Sequence, residues 1–183
     1  MYWPPASRTA CELDPDEGDT LAELTNLETK LGEVIGLAMA SQVSIDRIAK
    51  LAKNEKAIAK QLQQMRKEAA QAEKAGTQLA ASFDGKKSKI LAEARSVKRK
   101  GGEMLKTYLD RDADLLDGLE FMTMAEAGEV GHWQVLEQMN KKAKHPGIRA
   151  LTKEQLAIQK RHLRETMLAS TTVAAEEDPH EEA

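Results

Sequence analysis

The chain has 183 residues, enough for one domain with a sizeable core, and its hydrophobic share of 41% comes almost entirely from Ala, Leu, Ile, Val and Met, with aromatics at only 3%. Basic and acidic side chains nearly balance at 27 and 30, a net charge of −3, so overall charge points neither to nucleic acid nor to an anionic membrane. A single cysteine, Cys11, rules out an internal disulfide framework, and no apolar run approaches the ~18 residues of a membrane span. These features lead to the expectation of a cytoplasmic protein, since Met1–Pro5 carries neither the basic region nor the apolar run of a signal peptide.

Residues 1–18 hold three of the five prolines and an acidic patch, and read as a flexible tail preceding a helical domain over 19–175. Thr20-Leu21-Ala22-Glu23 fits a capping box, and Leu24, Leu27, Leu31, Val34, Ile35 and Ala38 then recur at helical spacing. Gly32 and Gly36 weaken this first helix but permit close approach of a partner. Ser41–Ser44 is the best place for a turn, which predicts helices over 20–41 and 44–83, the alternative being one long helix through Phe83. In the second, a narrow stripe runs from Ile48 through Leu62, Met65, Ala69, Ala72 and Gly76 to Phe83, with Glu55 at a position where an apolar side chain is expected.

Asp84-Gly85 ends that helix, and a third is predicted over 86–143, interrupted at Gly101-Gly102. Its first stretch, Lys86–Lys100, carries seven cations against Glu93 alone, a surface suited to an anionic partner. No aromatic side chain interleaves them, so specific nucleic-acid recognition is not expected. His145-Pro146-Gly147 forms a hinge, and a last helix is predicted over 151–174, with Thr152-Lys153-Glu154-Gln155 as its capping box. Residues 176–183 form an acidic tail. Short connections between four helical segments predict an all-α, antiparallel up-down four-helix bundle.

Polar groups cluster where the apolar stripe should run: Glu126, Glu129 and His132 before the hinge, Gln159, His162 and Glu165 after it. His132 lies 14 residues before Pro146 and His162 lies 16 after it. In a helical hairpin the two imidazoles would then differ by only about 3 Å along the axis. Counting outward from a turn at residue 42 brings Glu28 level with Glu55 at the other end. The predicted metal-ligand set is therefore Glu129, His132, His162, Glu165, Glu28 and Glu55, converging between helices. Buried carboxylates without a cation cost several kcal/mol each, so burial decides the matter.

The Glu129-x-x-His132 step, the long helices and the phrase Met124-Ala125-Glu126-Ala127-Gly128-Glu129-Val130-Gly131-His132-Trp133 resemble the ferritin-like superfamily, particularly its short bacterial members of the YciE/YciF type. The resemblance implies a four-helix bundle with a carboxylate and histidine site for iron or another divalent transition metal. Only Glu129 and His132 match the family's Glu-x-x-His pair in full; the last helix offers Gln159 and His162, and the second offers Glu55 with no histidine. The implied site is thus a partial one. The alternative is a non-catalytic interaction or scaffold module, self-associating as a dimer through the 48–83 seam or holding an anionic partner on Lys86–Lys100.

Overall fold

The computed structural model describes residues 23–180. It is all-helical, with no strand among the described residues. Five helices follow in order: α1 (Asn26–Leu51), α2 (Lys56–Ala80), α3 (Lys87–Tyr108), α4 (Leu115–Ala143) and α5 (Pro146–Ala174). The predicted tails lie largely outside the described residues, as does most of the capping box expected at Thr20.

Four predicted boundaries are corrected, the last of them at the start of α5. Thr25 caps α1, its hydroxyl receiving the Glu28 N–H while the Glu28 carboxylate receives the Thr25 N–H at 2.7 Å. The chain does not turn at Ser41–Ser44; α1 runs on to Leu51, and the turn is a 3₁₀ segment, Ala52–Asn54. Ser44 lends its hydroxyl to the Ala40 carbonyl instead, which leaves the helix intact. Likewise Gly101-Gly102 sits inside α3, and the break comes later, at Leu109–Asp114, where Asp114 and Asp117 form the capping box that starts α4. The third predicted segment is therefore two helices, making five rather than four.

The hinge falls where expected, but α5 begins at once rather than at residue 151. Pro146 occupies its first position, where a missing N–H costs nothing, and the His145 ring accepts the Ile148 N–H. Asn140 clamps the turn by bonding both the N–H and the carbonyl of His145, at 2.9 and 3.0 Å. Thr152 is mid-helix and buried, its hydroxyl bonded to the Ile148 carbonyl.

α1 is the central element, packed against α2, α3 and α4, while α5 packs mainly on α4. Its approach to α3 is close because Gly32, Gly36 and Ala40 face Ile90, Ala94 and Gly101; a Cβ on Gly32 would lie 2.7 Å from the Ile90 carbonyl oxygen. These matched positions rise together along both chains, so α3 runs parallel to α1. By contrast Ile35 meets Gly76 and Asp46 meets Arg66, so α2 runs antiparallel to it. The 48–83 seam is spent inside the chain: Leu62, Met65, Ala69, Ala72 and Gly76 are all buried.

The core has two apolar clusters. One gathers Leu31, Val34, Ile35, Ala72, Ile90, Trp133 and Leu136, and the other Ile45, Ile48, Leu62, Met65, Leu105, Phe121 and Met122. Between the two clusters α1 carries the buried Ser41 and Ser44, α4 the buried Glu126 and Glu129, and α2 the half-buried Glu68. That band positions the candidate site.

Candidate functional site

On α4, Glu126 and Glu129 sit three residues apart on the face that carries Met122 and Trp133, so the folding of that face draws both carboxyls inside. They are 1% and 3% exposed. On α5, Gln155, Gln159, His162 and Thr166 follow at steps of four, three and four, and all are buried. α1 supplies Ser41 and Ser44, and α2 supplies Glu68 between Met65 and Ala69. The result is a polar layer crossing the interior.

His162 is its centre. Its Nε2 lies 2.6 Å from Glu68 Oε2, and its Nδ1 lies 3.6 Å from Glu126 Oε2, too long for a hydrogen bond. Glu68 is further held by Arg161 at 2.6 Å and by Gln64 at 2.8 Å. Both oxygens of Glu126 and Oε2 of Glu129 find no hydrogen-bond partner, nor do the carbonyl oxygens of the Gln155 and Gln159 side chains or the indole nitrogen of Trp133. Such groups are costly in an interior.

The protonation pattern follows from these contacts. Burial works to raise the Glu68 pKa, but Arg161, His162 and Gln64 outweigh it and bring it down to about 2. Burial also opposes the imidazolium of His162, yet Glu126 and Glu68 together hold its pKa above the ordinary 6.5. Burial pushes Glu126 up despite His162, and pushes Glu129 well up, with the Glu126 charge adding to the effect and a hydrogen bond from Ser41 opposing it. A charged Glu68–His162 pair thus stands beside two carboxyls that hold their protons more tightly than ordinary carboxyls do.

This arrangement dictates an acid-shifted stability profile. In the unfolded chain the carboxyls ionise near 4.5, so as pH rises past that value the unfolded state sheds protons that Glu126 and Glu129 keep, and folding weakens. The stabilisation from His162 is whole below 6.5 and is lost as pH climbs through its raised pKa. That of Glu68 is whole above 4.5 and is lost as pH falls toward 2. Melting temperature should therefore peak near pH 4.5–5 and fall toward pH 8, with Glu129→Gln flattening the decline. A peak at pH 7 or above in thermal scans would contradict the proton assignment.

The six predicted ligands do not converge. Glu129 and His162 lie in the layer. His132 turns to α1, its Nδ1 3.0 Å from Glu33 and its side chain 41% exposed. Glu165 pairs with Arg161 at 3.2 Å on the outside of α5. Glu28 closes the α1 capping box and meets Lys86 at 2.9 Å, while Glu55 is exposed at the start of α2. Counting from the hinge gave each histidine a height but not a direction; one residue is ~100° of helix rotation, and Trp133, not His132, takes the inward position. Glu68 stands one residue off the apolar stripe at Ala69 and is absent from the predicted set. Its three-residue step from Met65 was the signal.

Among the described residues, no three His, Cys, Asp or Glu side chains stand arranged to hold a metal ion. Family models, curated proteins and solved structures give no match to this chain. No helix among the described residues is long and apolar enough to cross a membrane.

Proposed function

We propose that this chain is a ferritin-like helical-bundle protein whose polar layer takes up a divalent transition metal, iron foremost, in exchange for protons. One observation carries the reading: three oxygens of Glu126 and Glu129, deep in the interior, have no partner, and they belong to the helix face beside the His162 ring. The donor types suit such an ion, although their present arrangement does not bring three of them together. Glu126, Glu129 and His162 would hold it, with Glu68 and the orphaned Gln159 carbonyl as further oxygens. The side chains as they stand are matched to protons: His162 serves as the cation between Glu68 and Glu126. A metal ion bound here supplies Lewis acidity or, for iron, one-electron chemistry. The chain's own part is to surrender the protons of the two glutamates and of His162, while Arg161 and Gln64 keep Glu68 fixed.

Because ligands must deprotonate, affinity for Fe²⁺ or Zn²⁺ should rise steeply between pH 6 and 8, with protons released into the buffer. Calorimetry in two buffers of different ionisation enthalpy measures both. Uptake near one ion per chain should be lost in Glu126→Gln and in His162→Gln, and kept in His132→Ala and Glu165→Gln. Absence of uptake in the unmodified protein at pH 8 would sink the proposal.

A second reading rests on α3, where Lys87, Arg95, Lys98, Arg99 and Lys100 are exposed, a face that suits an anionic partner. Salt-sensitive retention on a polyanion by a protein that takes no metal would favour it.

A further inference from the structure

We infer that a pocket between α1, α3 and α4 binds a small uncharged alcohol, its apolar part against methionine and phenylalanine side chains and its hydroxyl on Glu129. The pocket encloses about 200 Å³ and is walled by Leu37, Met104, Phe121, Met124 and Ala125. Apolar cavities of ~150 Å³ accommodate benzene, so the space suits a ring or short chain slightly larger than that.

Two features separate this pocket from an ordinary packing defect. Glu129, Ser41 and Ser44, all buried, are its polar lining within the interior, and Glu129 Oε2 has no hydrogen-bond partner. Apart from the partly exposed His132, whose Nδ1 is turned to Glu33, the lining elsewhere is apolar, with Met104 and Met124 exposed at 47% and 37%, so the site has an adaptable thioether mouth. A hydroxyl both donates and accepts, so it satisfies Oε2 whether or not that carboxyl carries the proton. An anion would have to shed its hydration in a mostly apolar space and be rejected; a hydrocarbon would fill the space but leave Oε2 orphaned.

Gly128 lines the same pocket, and a Cβ added there meets nothing within 4 Å. Gly128→Leu should fill the space while leaving Glu129 in place. The inference shares Glu129 with the proposed metal layer but does not depend on a metal being bound.

The test uses metal-free protein with methionine methyl labels and three probes of matched size: benzyl alcohol, toluene and benzoate. Benzyl alcohol should shift the Met104 and Met124 methyl signals and leave Met167, exposed on α5, unmoved. It should bind about five- to tenfold more tightly than toluene, the worth of one buried hydrogen bond, while benzoate should not bind. Gly128→Leu should abolish the shifts with metal uptake intact, and Glu129→Leu should reduce benzyl alcohol to the level of toluene. Equal binding of alcohol and toluene, shifts at Met167 instead, or undiminished binding to a folded Gly128→Leu protein would each overturn the inference. The methyl-shift map on the unmodified chain decides the matter even if a variant fails to fold.

Discussion

Replacing His162 with alanine is expected to destabilise the protein by about 3–5 kcal/mol at pH 6, where the imidazolium contribution is whole. The ring is 1% exposed and is the cation between Glu68 and Glu126. Without it, Glu68 keeps Arg161 and Gln64, but Glu126 loses its charged neighbour of opposite sign and a cavity opens beside it. Urea unfolding measures the loss. Adding Glu126→Gln to His162→Ala should recover part of it, because the amide removes the stranded carboxyl. A loss below about 1 kcal/mol would mean that water, not the protein, solvates this layer.

Gly36→Leu should cost about 3 kcal/mol or more, as overpacking against rigid neighbours does. A Cβ at Gly36 would press on the Ala94 carbonyl and the Val97 side chain, and backbone cannot step aside as a flexible side chain can. Gly128→Ala is the matched control: it has open space, and should gain about 0.5–1 kcal/mol through helix propensity alone. Denaturant midpoints of the pair read the contrast directly. Equal effects would show that α1 and α3 are not in close contact.

Much of the helical content was legible because apolar residues recur at helical spacing, and the hinge at His145-Pro146-Gly147 was legible because proline and glycine leave few alternatives. The turn assigned to Ser41–Ser44 was wrong for an instructive reason. Ser41 is bonded to Glu129 and Ser44 to the Ala40 carbonyl, both buried, and a polar step inside a buried helix looks the same in sequence as a loop. Gly101-Gly102 misled in the opposite way: glycine there serves close contact, with Gly101 against Ala40, rather than a chain break. At the site, Glu129 and His162 were legible from their positions on the apolar stripe. His132 was not separable from Trp133 without knowing the helix rotation, and Glu68 needed the tertiary pairing with His162 to reveal it. The close approach allowed by Gly32 and Gly36 was foreseen, but not that the partner would be α3 running parallel to α1.

The polar band between two apolar clusters also tells each helix where to stop sliding. A long amphipathic helix shifted by one turn, about 5.4 Å, still presents a greasy stripe to its neighbours, so hydrophobicity alone distinguishes such alignments poorly. Here that displacement would set Met65 or Met122 against ionised groups and strand Glu68 or Glu126 among leucines. The waist of the molecule thus acts as a detent, sacrificing some tightness at the middle to make one alignment of the rods unique.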